Sequence, residues 1–495
     1  MDLVKNLSKE ELRNFKLYLR RVYANKEDNR LSKLANAYRL NKYENDNEIL
    51  QHVFTDLNNN AFYKLKNKLQ REVFKSLLIL HYGRDDLNNI LNQLLLARIL
   101  IAKSDFNGAH KILANATKKA NEVEVYDVLI CIYNELLQLS QHNTSINVNE
   151  VLEAKSNIVN TFREIDLIND KIAKFTYQLR QINHQNSDVS ILQELKIIEA
   201  EIEQNTNLKN SSTLQLQLQM VVRNILLQQQ DYETIVNYLK TKINDFATRN
   251  IFNKGNFKHK ITMQVWVINS LLILSKFEEA IDEAATLEQY LLENKKMYYP
   301  TFFWTLVQSK TIAYYYLNQP QKAISILEDT IKSIKKDDNS LYRHPIHFNL
   351  AVNYFSTKNY KKGHRYLNYL NDKDIEQSYN KDFLINSKVL DVLFYYELED
   401  IEFGIYKLNQ LKDRHKYLLN KPSYKMVKQF VSILKNLLIK TYISENLRKK
   451  CENFILKHHS VDANRGINYA FWLEAKLKKV DYYKHVLQNI NSKNV

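Results

Sequence analysis

Along most of the chain, apolar side chains return every three or four residues and short polar stretches interrupt them. That period is the mark of amphipathic helices joined by tight turns. One phrase recurs. An apolar helix ends in aromatic or Leu residues, a polar turn follows, and then comes an aromatic or Ile. Three residues later a residue, usually small, opens the next helix. The clearest copy runs from Ala313 through Tyr314, Tyr315, Tyr316, Leu317, Asn318, Gln319 and Pro320 to Ala323 and Ile324. The others pair Phe106 with Ala109, Tyr232 with Ile235, Phe277 with Ala280, Tyr360 with Gly363, and Ile401 with Gly404. The small residue marks where two helices cross, since a larger side chain there would force them apart. Tyr314, Tyr354 and Tyr395, nine residues before each small residue, are expected to pack from the first helix onto the second.

Three regions follow from the pattern. Residues 1–83 read as a helical bundle. It opens on a capping box, with Ser8 accepting from the backbone and Glu11 reaching back, and it stops at Gly83. Further helices are predicted near 29–40, 46–57 and 59–82. Residues 84–415 carry the repeated phrase, with 147–212 degenerate: long helices without the hairpin, broken by the polar joints Asn183 to Asp188 and Asn205 to Ser212. Residues 416–495 read as a basic helical cap. The expected fold is all-α: a solenoid of antiparallel helix pairs with an N-terminal helical bundle.

Composition sharpens this. The chain has 6 glycines and 4 prolines, where a soluble protein of its length would carry roughly 35 and 25. Sheets with hairpin turns and phosphate-cradling loops both need glycine, so neither is expected. No nucleophile elbow, zinc-protease helix or Cys-x-x-Cys pair occurs, and no cofactor or catalytic residue is assigned. Cys131 and Cys451 make no disulfide framework and fit a reducing compartment, so the cytoplasm is the expected location. No apolar run is long enough to span a membrane.

The phrase resembles the tetratricopeptide repeat. Ala97, Leu100, Ala109 and Leu113 match that family's small, aromatic, small and apolar positions, with Leu in place of Tyr. Ala351, Tyr354, Gly363 and Leu367 match again, with Gly in place of Ala. The crossing positions 235, 280, 323, 363 and 404 are 40 to 45 residues apart, against about 34 in the family, so the repeats are divergent and their helices lengthened. Residues 8–19, the block ending at Gly83, and Trp472 to Lys476 resemble the opening and closing helices of a group of bacterial tetratricopeptide-like proteins.

The resemblance implies a protein- or peptide-binding scaffold and no enzyme. It places the first helix of each unit on an inner face, with Tyr315, Phe355 and Tyr396 pointing inward from three successive units and Tyr316, Phe348 and Gln308 beside them. Asn224 and Asn269 fall where the family often sets an Asn against a peptide backbone. The competing reading buries these aromatics between repeats.

Charge supplies an alternative. The net charge is +16, and residues 401–495 hold 19 basic and 7 acidic side chains, so most of the excess lies there. Lys449, Lys450, Lys478 and Lys479, with Tyr482, Tyr483 and Trp472 as stacking groups, form a candidate surface for nucleic acid or another anionic partner. A further alternative is a switch in which peptide binding repositions the N-terminal bundle. His344 with His347, and Cys451 with His458 and His459, are the only metal-like spacings. Both read better as structural residues, as do the carboxylate pairs Asp85-Asp86 and Glu278-Glu279 at helix starts.

Overall fold

The structure, a computed structural model, describes residues 2–491 except 6, 8, 24–26, 41–44, 55–57, 83–85, 182–188, 253–255, 294–296, 335–341, 371–380, 440–442 and 460–465. Ser8 of the expected capping box, the stop at Gly83, Asp85 and the joint from Asn183 to Asp188 lie outside the described residues. What is described is all-α and built of consecutive antiparallel helix pairs, with no strand among the described residues. It forms two compact units. One comprises Met1–Gln178, Val189–Gln217 and Asn253–Asn256; the other comprises Leu179–Asp188, Leu218–Phe252 and Phe257–Val495.

The first unit opens with a bundle. Its helices Lys9–Val22, Glu27–Leu40, Asp46–Val53 and Asn59–Leu80 surround a core that includes Phe15, Leu19, Leu31, Leu34, Phe62 and Leu69. Glu72, buried at its edge, accepts from the Tyr18 hydroxyl at 2.7 Å and from Lys75 at 2.9 Å. Asp86–Ala102 and Phe106–Glu122 make the first hairpin, crossing at Ala97, Ala109, Leu113 and Ala116, all fully buried. The region without the phrase contains one long helix, Val148–Gln181, and a second, Val189–Gln204, bridged by Lys171 and Glu201 at 2.6 Å. Glu124 caps the start of Ser212–Gln228, accepting from Ser212 N at 3.0 Å, Thr213 N at 3.1 Å and the hydroxyls of Ser211 and Ser212 at 2.7 Å. A carboxylate there satisfies amides that the helix itself leaves unpaired.

In the second unit the hairpins run Phe257–Ile273 with Phe277–Glu293, Tyr299–Tyr316 with Pro320–Ser333, Arg343–Ser356 with Tyr360–Leu367, and Lys381–Glu397 with Ile401–Arg414. Each second helix begins at the residue the phrase marks. The crossing residues Ile235, Ala280, Ala323, Gly363 and Gly404 are buried. Gly363 is obligatory by space: a Cβ there would come within 2.7 Å of Phe394 Cζ.

The turns show how the chain manages with so little glycine. Ser104, Gln230, Ser275, Asn318, Lys358 and Glu399, each five residues before a crossing position, take φ between 58 and 62°. The following amide reaches back five residues, as from Asp105 N to Leu100 O and from Asp400 N to Tyr395 O, both at 2.9 to 3.0 Å. This left-handed stop usually takes Gly or Asn. Here Asn holds it once, at 318, and ordinary residues hold the other five, with Asp105, Asp231 and Asp400 capping the next helix in compensation. Among the described residues, scarcity of glycine goes with an absence of strands but not with an absence of positive φ.

After the last hairpin come Lys425–Ile439, Glu445–His458, Tyr469–Lys478 and Tyr482–Asn491. These helices share one apolar core with the hairpins: Phe430, Leu434, Phe454 and Trp472 pack with Phe355, Leu390 and Phe394.

Candidate functional site

Tyr299–Tyr316, Arg343–Ser356 and Lys381–Glu397 are the first helices of three successive hairpins, and they carry Tyr315, Phe355 and Tyr396 at matching positions. All three residues lie on one side, and each is met by an aromatic from the end of the chain. The Tyr315 and Tyr483 ring centroids are 5.0 Å apart, those of Phe355 and Tyr482 6.0 Å, and those of Tyr396 and Trp472 5.2 Å. The last two pairs meet edge to face, the geometry that aromatic quadrupoles favour.

Polar links fix the register. The Tyr483 hydroxyl donates to the Tyr315 carbonyl, Tyr315 shares a 2.8 Å hydrogen bond with Ser356, and Lys358 pairs with Asp481 at 2.8 Å. Glu397 accepts from Trp472 Nε1 at 2.8 Å and from Lys476 at 2.7 Å. The last two helices are tied to each other through Glu474, which meets Lys478 at 2.6 Å and His485 at 3.0 Å. Burial pushes its pKa up, but the hydrogen bonds from Lys478 and His485 prevail and hold it down at about 2.

This arrangement corrects the expected open groove. Phe355 is 2% exposed and belongs to the core, wrapped by Tyr360, Phe394 and Tyr482. Tyr396 lies under Trp472 and Lys476. The chain's own last helices cover these three aromatics. Burial, with Tyr482 nearby, raises the Tyr315 pKa well above the usual tyrosine value, so its phenol stays neutral.

The other end of the same side is open. Trp304, Gln308, Thr311, Ile312, Tyr315 and Tyr316 of one helix face Pro345, Phe348, Asn349, Val352 and Asn353 of the next across a pocket of about 250 Å³, closed by Phe383 and Gly466. Four of the expected residues, Gln308, Tyr315, Tyr316 and Phe348, meet here. Tyr316 is held by stacking on Phe277 at 5.0 Å. Gly466 has φ +79°, and a Cβ there would lie 3.0 Å from Phe348 Cζ, so glycine lets the backbone at this residue approach that ring. Trp304, Asn353 and Phe383 were missed in the sequence. Counting back from Tyr315 in steps of three and four finds Thr311, Gln308 and Trp304, and the same count along the next helix joins Phe348, Asn349, Val352 and Asn353.

The remaining candidates fall elsewhere. Asn224 and Asn269 are exposed and do not line the pocket. Lys449, Lys450, Lys478 and Lys479 are exposed, with Lys449 paired to Glu445 at 3.3 Å and Lys478 to Glu474. Trp472, Tyr482 and Tyr483, the stacking groups of the nucleic-acid alternative, are packed against the first helices, so the basic end lacks the aromatic platform expected of it. His347 is buried against Tyr369, ring centroids 5.0 Å apart. Burial, then the charges of Arg343 and His344, push its pKa down to about 4. Cys451 is buried with its pKa raised to about 11 by burial, while His459 turns to Glu474 and His458 packs on Phe454. Among the described residues no three metal-ligating side chains converge, and no helix is long and apolar enough to cross a membrane.

No protein-family model matches the chain, and no curated protein matches it.

Proposed function

We propose that this chain is a non-enzymatic binding protein whose hairpins are divergent tetratricopeptide repeats, and that it takes a segment of another protein at the open end of its inner face. The observation that carries this reading is the meeting of Gln308, Tyr315, Tyr316 and Phe348 around one pocket, together with Trp304 and the amides of Asn349 and Asn353. Aromatic walls supply apolar burial, and a few amides supply hydrogen bonds to a peptide backbone. The covered end supports the same reading, because Tyr482, Tyr483 and Trp472 dock there as a bound helix would. Two free cysteines, one buried, fit action in the cytoplasm.

The test is selection of peptides from a displayed library against the full chain, followed by binding to variants. Ile312→Trp, which fills the pocket, should weaken the selected peptide at least tenfold. Lys449→Glu, Lys450→Glu, Lys478→Glu and Lys479→Glu together should leave it unchanged. Failure to select any peptide, or indifference to Ile312→Trp, overturns this reading. Steep weakening with salt and loss in the lysine variant would move the site to the basic end.

A further inference from the structure

The first helix of the first hairpin, Asp86–Ala102, carries apolar residues on two sides. One side is core: Ile90, Leu94 and Ala97 are buried against Phe106–Glu122 and Tyr126–Leu139. The other side holds Leu87, Leu91, Leu95, Leu96 and Ile99, which are 37 to 57% exposed. Leu87, Leu91, Leu95 and Ile99 recur every four residues, so they form one ridge along the helix. A surface helix normally turns polar residues outward; this one turns a second apolar ridge.

The chain just before it adds to the patch. Phe74, Leu78, Ile79 and Tyr82, at the end of Asn59–Leu80 and just beyond, are 46 to 74% exposed. Tyr82 stands five residues before Leu87, so the two rows adjoin. Single exposed apolar side chains are ordinary, but nine within 26 residues are not. A fully exposed side chain of this size offers roughly 150–250 Å², so the nine present on the order of 900 Å², about what one partner gives a standard interface.

Charge selects the occupant. Between Leu87 and Ala102 the one charged residue is Arg98, and Glu135 of the same chain takes it at 2.7 Å. A charged partner face would be desolvated here without a counter-charge, whereas a second copy of the ridge brings no charge. At the two ends stand Asp86 and Lys103, both exposed and without an ion pair among the described residues. Antiparallel pairing about Leu95 sets Leu91 against the partner's Ile99 and brings each Asp86 end to a Lys103 end. Parallel pairing would bring like charge to like and align the helix dipoles.

We propose that two copies of this chain associate through the ridge, antiparallel and about a two-fold axis at Leu95. Such an interface is self-complementary, the commonest arrangement among soluble oligomers. Rows spaced by four also interdigitate in the commonest class of helix packing. The inference goes beyond segment binding and does not depend on it, since the ridge and the pocket share no residue and belong to different compact units.

The experiment is sedimentation velocity of the full chain at micromolar concentration, with thermal unfolding to confirm that each variant folds. The wild type should be a dimer. Leu95→Glu should weaken it at least about a hundredfold, because like charges would meet at the axis. Phe403→Glu, at an equally exposed aromatic elsewhere, should leave it intact. Leu95→Cys in a Cys131→Ser background, which removes the exposed native thiol, should cross-link two copies under an added oxidant. Leu87→Cys in that background should not, because antiparallel pairing holds those positions too far apart for a disulfide. If Leu95→Glu does not fold, the two cysteine variants decide. A wild type monomeric at every concentration, a dimer indifferent to Leu95→Glu, no cross-link through Leu95→Cys, or one through Leu87→Cys would overturn the proposal.

Discussion

The two ends of this aromatic stripe are built from the same kinds of residue and do different work. At the covered end, Phe355 and Tyr396 meet Tyr482 and Trp472 and become core. At the other end, Gln308, Tyr316 and Phe348 border a pocket, with Tyr316 stacked on Phe277 and Phe348 packed on Phe383. Tyr315 belongs to both, packed on Tyr483 along one edge and lining the pocket along the other. An aromatic stripe on a helical repeat is therefore neither groove nor core by nature. What the rest of the chain lays against it decides.

The largest effect that separates the ends is expected from Trp472→Ala. The side chain is 0% exposed and its loss leaves Glu397 Oε1 without its donor, so the cost should be about 3–5 kcal/mol, read as a shift in denaturant midpoint. A loss below 1 kcal/mol would mean that the last helices only rest on the face.

Next comes acid sensitivity at His347, on the helix that carries Phe348. Its pKa is lowered in the fold to about 4, from the ordinary histidine value of 6.5, so the unfolded chain binds the proton more readily. Stability should fall as pH drops from about 6.5 to about 4, by at most about 3 kcal/mol. His347→Phe should flatten that slope. Carboxylates held low, such as Glu328 and Glu474 at about 2, lose their contribution below this window and should be unaffected.

Gly466→Ala places a Cβ against Phe348 at positive φ and should cost about 1–2 kcal/mol. Smallest is Gln308→Ala at the open end, expected within about 0.5 kcal/mol by thermal unfolding. A larger loss would show that Gln308 is structural and the open end less open than described.

Much of this was legible in the chain. The phrase placed the start of each second helix and each crossing residue, because both depend on local spacing and on the size of one side chain. Its aromatic positions did share one side. The partners of those aromatics were not legible: Tyr483 and Tyr315 are 168 residues apart, and no periodicity links a terminal Tyr to a distant helix. The same gap explains why Trp472, Tyr482 and Tyr483 read as stacking groups for nucleic acid. Asn353 was passed over because an amide inside an apolar run carries no pattern of its own.

The most direct test of the central claim is hydrogen–deuterium exchange of the full chain with and without a selected peptide. The account predicts slower exchange confined to Tyr299–Tyr316 and Arg343–Ser356, with Tyr469–Lys478 and Tyr482–Asn491 unchanged. Faster exchange in those last two helices on binding would contradict it, since the partner would then be displacing the chain's own cover.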